Sequence, residues 1–212
     1  MTAAPGSYPL IDRIAFAARR TVSRETFGKL EEYMVLLREE NARQNLVSAA
    51  TLEHAWGRHI LDSAQLVRYE PRPGASWVDI GSGAGLPGIV IAILVEGAVT
   101  LVEPRRLRAE FLHKVCDALQ LSATVIAAKA ERVEGKFDVI TARAVAPLPQ
   151  LLKISAHLST RKSVWTLPKG RSGKAELAEA SRNWHFDARE EPSCTDPDST
   201  ILVLSRVGAK GR

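Results

Sequence analysis

The spacing of hydrophobic residues divides the chain into two parts. In the first third these residues recur at steps of three and four, which is typical of helices with one apolar face. Two long helices are predicted there, over SRETFGKLEEYMVLLREENARQN behind a Ser23 cap and over TLEHAWGRHILDSAQLVRY. Their apolar stripes are Phe27, Leu30, Met34 and Leu37 in the first, and Leu52, Trp56, Ile60 and Ala64 or Val67 in the second.

Beyond residue 76, short apolar runs alternate with helical patterns. The runs that predict strands are WVDI, AVTLVE, ATVIAA, FDVITAR, SVWTLP and STILVLSRV. Helical patterns cover residues 88–95, 105–120, 147–158 and 173–183, and EEPSCTDPDS is interpreted as a polar turn before the last strand. In 105–120 the predicted stripe is Leu107, Phe111, Lys114 or Val115, and Leu119. This alternation predicts an α/β fold with a mostly parallel sheet and helices on both faces.

The change of pattern also predicts two parts in the chain. Residues 1–70 form a helical N-terminal extension packed on the core, and residues 71–212 form the domain that contains the sheet. The first residues have the composition of a mobile arm that leads to a short surface helix. They lack the long apolar stretch of a targeting signal.

Composition narrows the class of protein only slightly. The formal net charge is +5, with 29 Lys and Arg against 24 Asp and Glu, which favours a polyanionic partner without establishing one. No apolar run approaches the length of a membrane-spanning helix. The two cysteines, Cys116 and Cys194, form no CxxC motif, so a reducing compartment and the cytoplasm are expected. Cys116 shares a helical face with Leu112 and Leu119 and is expected in the core.

The stretch WVDIGSGAGLPGIVI, residues 77–91, carries the strongest chemical signal. A strand, a glycine turn and a helix place backbone N–H groups at the carboxyl edge of the sheet, where open α/β folds bind ligands. Gly81, Gly83 and Gly85 permit a sharp bend and a close approach. Glu103 ends the next strand, about 20 residues further on, where a carboxylate accepts both hydroxyls of a ribose. The alternative is a turn that only connects strand and helix.

Two classes of nucleoside cofactor fit this turn. GAGLPG satisfies the G-x-G-x-x-G pattern of dinucleotide-binding oxidoreductases, but it lies two residues beyond Gly81, the first glycine after the strand. Asp79 also precedes the turn, where a pyrophosphate is poorly accommodated. S-adenosylmethionine has no phosphate and carries two positive groups, which a nearby carboxylate favours. The pattern therefore favours methyl transfer, with an NAD-type oxidoreductase as the alternative.

Several longer motifs resemble those of one family. VDIGSGAGLPGI, RHILDS, LVEPRRLRAEFL, the pair Ala130-Glu131, TARAVAPL and PKG are similar to segments of the GidB/RsmG family, from about Asn45 to the end of the chain. Members are bacterial methyltransferases that modify N7 of a guanine in 16S ribosomal RNA. The resemblance implies a Rossmann-like class I methyltransferase with a seven-stranded sheet. Val47 and Pro104 depart from the family, which commonly has threonine and serine there.

The resemblance also implies a set of site residues. For S-adenosylmethionine these are Gly81 and Leu86 at the turn, Gly83 and Gly85 for close approach, Glu103 at the ribose, Ala130 and Glu131 beside the adenine, and Arg143 toward the methionine end or the target base. Arg143 also ends a predicted strand beside the crevice, with a structural salt bridge as the alternative. Arg58, His59 and Lys169 are the candidates for RNA contacts, with a solvated or capping role as the alternative for Arg58 and His59.

The reaction implied by the resemblance needs few catalytic side chains. N7 of guanine has a free lone pair and no proton, so no general base is expected, and Arg143 is a candidate for orientation only. The histidines have no metal-ligand spacing and no metal is expected. The implied partner is 16S rRNA, within the small ribosomal subunit or an assembly intermediate, and the chain is expected to be a monomer without a membrane contact. A non-catalytic RNA-binding module with a disused pocket is the second alternative.

Overall fold

A computed structural model describes residues 9–211. The sequence pattern over the preceding residues, which predicts a mobile arm, lies outside this range. The strands are β1 Trp77–Ile80, β2 Val99–Val102, β3 Ala123–Ile126, β4 Val139–Ala142, β5 Val164–Lys169, β6 Trp184–Pro192 and β7 Thr200–Ala209. The helices are α1 Leu10–Ala18, α2 Arg24–Gln44, α3 Ala49–Glu53, α4 Asp62–Ala64, α5 Gly88–Leu94, α6 Arg106–Ala118, α7 Leu148–Ser155 and α8 Gly173–Ala180.

All seven strands form one sheet in the order β3-β2-β1-β4-β5-β7-β6. The first five are parallel, and β7 runs antiparallel to both β5 and β6. The chain leaves β1 for β2 on one side and returns to place β4 on the other, so the order reverses between β1 and β4. Open α/β sheets bind their ligands at the carboxyl edge beside such a switch point.

Alternate residues of the strands face two separate apolar layers. Trp77 packs in a core with α1, α2, α5 and α6, whereas its neighbour Val78 packs in a core with α7 and α8. A parallel sheet needs an apolar layer on each of its faces, and these two cores supply them. The predicted α/β sheet with helices on both faces is confirmed.

The N-terminal helices share the first of these two layers. Ser23 caps α2 by accepting a hydrogen bond from the Thr26 N–H at 3.0 Å, as its sequence predicts. The Tyr33 hydroxyl donates to Ala84 O at 2.8 Å, which joins α2 to the glycine turn after β1. Ile14 of α1 is fully buried, so α1 is less exposed than the predicted surface helix. The division near residue 70 into extension and domain stays a prediction.

The second predicted long helix has irregular winding. Between α3 and β1 the chain forms a π-helical segment, Trp56–Leu61, then α4, then a 3-10 segment, Gln65–Tyr69. The predicted stripe nevertheless faces the core, because Ile60, Ala64 and Val67 are buried and Leu52 and Trp56 pack against the same layer. π-Helical turns are rare and often occur at functional sites.

Two further predictions from the sequence pattern are wrong. Leu107, the first member of the predicted stripe of α6, is 57% exposed, whereas the later members Phe111, Val115 and Leu119 are buried as predicted. The pattern of EEPSCTDPDS predicts a turn throughout, yet Glu190, Glu191 and Pro192 belong to β6. β6 is a polar edge strand, and such strands lack the apolar run that identifies central ones.

Candidate active site

The glycine turn follows β1 and is tied to the end of β2. The backbone N–H groups of Gly81 and Ser82 both donate to Val102 O, at 2.8 and 3.0 Å. Gly81 has φ of 68°, in the left-handed region that favours glycine. A Cβ at Gly81 would lie 2.6 Å from Val145 Cγ2. The turn is therefore closed on one side by the segment after β4.

Glu103 is 3% exposed and both of its carboxylate oxygens are held by backbone groups. Oε2 accepts a hydrogen bond from the Gly83 N–H at 2.9 Å, and Oε1 accepts one from the Arg105 N–H at 2.8 Å. Each oxygen keeps further acceptor capacity. The side chain is thus fixed in place, with lone pairs left for two hydroxyl donors.

Asp79 lies in β1 and is 1% exposed. Its Oδ2 accepts a hydrogen bond from the Gly88 N–H at 3.0 Å, whereas Oδ1 has no hydrogen-bond partner among residues 9–211. Burial is the main cause that raises the pKa of Asp79 to about 7, and the Gly88 hydrogen bond and the Arg143 charge oppose it. A buried acceptor without a partner favours a ligand that brings a donor or a positive charge.

Asp79 should make the stability of the unliganded protein depend on pH. Because its pKa is higher in the folded than in the unfolded chain, its contribution to stability is present below pH 4 and is lost as the pH rises through about 7. Asp79→Asn removes this loss. Between pH 4.5 and pH 8, wild type should lose stability and Asp79→Asn should not. The free energy of unfolding of Asp79→Asn minus that of wild type should therefore increase by about 1–3 kcal/mol over this range. Urea unfolding at both pH values measures it, and a constant difference would contradict the assignment.

Ala130 and Glu131 lie in a 3-10 turn, Ala130–Arg132, that follows β3. Ala130 is buried and Glu131 is exposed. β3 pairs with β2, and the Glu103 N–H donates to Ile126 O at 3.1 Å. The glycine turn, Glu103 and this turn therefore follow the carboxyl ends of three neighbouring strands. Leu86 is buried in the first apolar layer.

Arg143 follows β4, and its Nη1 lies beside the π-helical segment. It is 3.4 Å from Arg58 O, 3.4 Å from His59 Nδ1 and 3.7 Å from Asp62 Oδ2. The structure therefore brings Arg143 together with Arg58 and His59, which are 84 or more positions away in the sequence. Arg143 and Asp62 form an ion pair at this distance, but their atoms are too far apart for a hydrogen bond.

His59 is buried, and burial followed by the Arg143 charge lowers its pKa to about 4. The imidazole is therefore neutral at pH 7. Because Arg143 can only donate, Nδ1 must accept, and the proton is on Nε2. Nε2 has no partner among the described residues. His59 accordingly orients Arg143 instead of adding a positive charge.

Arg143 also lines a cleft of about 440 Å³. Its walls come from the segment after β4, the end of β5, α4 and the segment before β7, and include Asp62, Arg143, Val145, Lys169 and Glu176. Its size is within the range of small-molecule sites. The glycine turn and Glu103 are not among its walls. Val145 connects the two regions, because it lines the cleft and also lies against Gly81.

Lys169, at the end of β5, is part of an internal polar cluster. Its Nζ is 2.7 Å from Glu176 Oε2 and donates to Ala146 O at 3.2 Å. Glu176 also accepts from the Leu148 N–H at 2.8 Å and from the Ser172 hydroxyl at 2.7 Å. Burial acts to raise the pKa of Glu176, but these hydrogen bonds together hold it below its usual value. The cluster fixes the segment between β4 and α7.

Three residues of this region were not identified from the sequence. Asp62 lies within the motif RHILDS and Val145 within ARAVAPL, but the motifs alone do not indicate a role for these two residues. Glu176 lies in an ordinary helical pattern, and only the fold shows that it reaches Lys169. No cluster of three or more metal-ligating side chains occurs within residues 9–211. None of the helices over that range is long and apolar enough to cross a membrane.

The residues present fit S-adenosylmethionine. Glu103 offers fixed acceptors for ribose hydroxyls, and Asp79 Oδ1 is a buried acceptor beside the turn that suits an ammonium group. Gly83 leaves room for close approach, since a Cβ there would have no neighbour nearer than 3.6 Å. All three features follow from this chain's own geometry.

Comparison with known proteins shows which sequences this chain resembles. A family model described as rRNA small subunit methyltransferase G matches residues 26–200. Proteins named ribosomal RNA small subunit methyltransferase G are similar to this chain. The one from Zymomonas mobilis is 46% identical over 89% of this chain and 90% of its own. The one from Bartonella tribocorum is 42% identical over 88% of this chain and 91% of its own.

Solved structures that resemble this fold are more distant in sequence. A ribosomal protein L11 methylase from Lactobacillus delbrueckii aligns with TM-score 0.56 and 16% identity, over 73% of this chain and 79% of that one. A magnesium protoporphyrin IX methyltransferase from Synechocystis with bound S-adenosylmethionine aligns with TM-score 0.57 and 16% identity, over 82% and 97%. These similarities show the shared fold, that of class I methyltransferases.

Proposed function

The chain belongs to the rRNA small subunit methyltransferase G family, and we propose from this that it transfers a methyl group from S-adenosylmethionine to N7 of one guanine in 16S ribosomal RNA. The observation that carries the proposal is the fixed Glu103 carboxylate beside the glycine turn, together with the cleft beside Arg143.

This arrangement suits a reaction that depends on positioning. The cofactor supplies a methyl group on a sulfonium, and N7 of guanine accepts it without losing a proton. This chain's residues then have three tasks: to hold the cofactor through Glu103 and Asp79, to orient the base beside Arg143, and to exclude water. Holding two reactants in line accounts for a large part of such a rate enhancement. No acid–base pair is needed, and Asp79 and His59 have other partners.

For the RNA contacts, we propose different roles for Arg58 and Lys169. Arg58 is 57% exposed in its side chain and pairs with Asp196 at 2.9 Å on the surface, so phosphate can compete for it. Lys169 is only 12% exposed and paired internally, so it supports the cleft instead. Arg143 would face the base, and the buried His59 would orient Arg143 without contacting RNA. We further propose that the chain acts as a monomer in the cytoplasm.

The salt dependence of RNA affinity should distinguish the role of Arg58 from that of Lys169. Each phosphate contact that is lost lowers the slope of log affinity against log salt concentration by about 1. We expect Arg58→Ala to lower the slope for binding to small-subunit particles by about 1. Lys169→Met should lower the melting temperature and leave the slope unchanged. A reduced slope in Lys169→Met would show that this lysine contacts phosphate.

Methyl transfer itself is tested with the purified full chain and labelled S-adenosylmethionine. The acceptors are free 16S rRNA, assembling particles and finished small subunits. We expect label on one guanine, recovered as 7-methylguanosine from a nuclease digest, in at least one of the three forms. No label on any form, with S-adenosylhomocysteine still bound, would favour the non-catalytic alternative. Binding of NADH in place of S-adenosylhomocysteine would favour the oxidoreductase.

A further inference from the structure

The carboxylate of Asp62 is held in the wall of the cleft by one of its two oxygens. Oδ1 accepts hydrogen bonds from Gln65 Nε2 and from the Thr195 hydroxyl, both at 2.9 Å. Oδ2 accepts no hydrogen bond from any residue in the range 9–211 and has only the 3.7 Å contact with Arg143 Nη1. The side chain is therefore oriented, with one acceptor oxygen left for a ligand.

Arg143 and Asp62 together present a donor and an acceptor side by side. The His59 ring and Arg58 O hold the Arg143 guanidinium, which has five N–H donors and can satisfy further acceptors. Asp62 Oδ2 can only accept. The cleft wall therefore presents a fixed donor next to a fixed acceptor.

Guanine has the matching pattern on one edge. Its O6 accepts, and the adjacent N1–H and the 2-amino group donate, whereas adenine has a donor at position 6 and an acceptor at N1. O6 lies between N7 and N1 on the purine ring. A base bound through O6 and N1–H therefore leaves N7 free, on the side of O6 away from the carboxylate.

We propose that Asp62 is a specificity-determining residue that accepts hydrogen bonds from N1–H and the 2-amino group of the target guanine, while Arg143 donates to O6. This inference rests on the proposed function and adds how the base is selected. Adenine would place donor against donor at Arg143 and acceptor against acceptor at Asp62. Such unpaired groups in a partly buried site are costly, and sites built on hydrogen bonds discriminate strongly.

The test uses small-subunit particles with guanosine or inosine at the methylated position, which is first mapped with wild-type protein. Inosine keeps N7, O6 and N1–H but lacks the 2-amino group. For wild type we expect kcat/KM to be about tenfold or more higher with guanosine than with inosine. In Asp62→Asn the kcat/KM for guanosine should fall. The kcat/KM values for guanosine and inosine should then differ by no more than about twofold. Binding of S-adenosylhomocysteine should not change.

Thr195→Val is the matched control for a purely structural role of Asp62. It removes a hydroxyl that supports Oδ1 and leaves Oδ2 in place. We expect kcat/KM to fall equally for both bases, so that the wild-type ratio is kept. An unchanged ratio in folded Asp62→Asn would overturn the inference. So would a wild-type ratio near one, a result that needs no variant to fold.

The two proposals fail in different ways. If wild type labels one guanine at N7 but does not distinguish it from inosine, only the role of Asp62 is lost. If wild type labels no guanine, both proposals are lost.

Discussion

Replacing Gly81 with alanine should lower the rate of methyl transfer roughly a hundredfold. A Cβ at this position would lie 2.6 Å from Val145 Cγ2, so either Val145 or the glycine turn must move. The turn is held by hydrogen bonds from Gly81 and Ser82 to Val102 O, and a displacement of about 1 Å in a positioned site costs about a hundredfold in rate. Initial rates with labelled S-adenosylmethionine measure the effect.

Gly74→Ala is the control for backbone strain in Gly81→Ala. Gly74 has φ of 71°, close to the 68° of Gly81, but a Cβ there would have no neighbour within 4 Å. Both variants should lose about 1–2 kcal/mol of unfolding free energy, because an L side chain is strained in this region. Only Gly81→Ala should lose activity. Equal losses of activity in both would attribute the effect to strain.

Val145→Ala should partly restore the activity of Gly81→Ala. It removes the methyl group that the new Cβ would meet, while the backbone strain stays. The double variant should therefore regain rate without regaining stability. A double variant as slow as Gly81→Ala alone would show that Val145 is not the obstacle.

Replacing Glu103 with glutamine should weaken binding of S-adenosylhomocysteine more than tenfold and also destabilise the fold. The carboxylate accepts from the Gly83 and Arg105 N–H groups, and an amide can accept from only one of them. The other N–H would face an NH₂ group in a site that is 3% exposed. We expect a loss of about 1–3 kcal/mol in the free energy of unfolding.

Glu131→Gln is the matched control, since it makes the same chemical change on an exposed turn at the same edge of the sheet. Its free energy of unfolding should stay within about 0.5 kcal/mol of wild type. Calorimetric titration and urea unfolding give the two quantities for both variants. Unchanged affinity in Glu103→Gln would remove Glu103 from the cofactor site, whatever its effect on stability.

The central elements were predictable because their signals are local. An apolar run gives β1, the glycines after it give the turn, and Glu103 lies at the end of the next strand. The serine cap of α2 is likewise a contact over three residues. Such features depend on neighbours in the sequence, so the pattern alone contains them.

The contacts within the cleft were not predictable in this way. Asp62 reaches Thr195 across 133 positions, and Lys169 meets Glu176 only because α8 turns back over the end of β5. The position of Lys169 at the end of a strand predicts a phosphate contact, and only the fold shows that it also pairs with Glu176. Leu107 shows a related limit, because spacing gives the apolar face of α6 but not how far along the helix that face is covered.

The π-helical segment Trp56–Leu61 has a consequence for the comparison of related chains. A π turn contains one residue more than the α turn it replaces, so it acts as an insertion within an otherwise continuous helix. A relative with regular winding would be one residue shorter between α2 and β1. An alignment should then place the gap inside this segment and not in the loop before β1. A gap in that loop would pair Asp62 with the wrong residue, although every strand would still be aligned correctly.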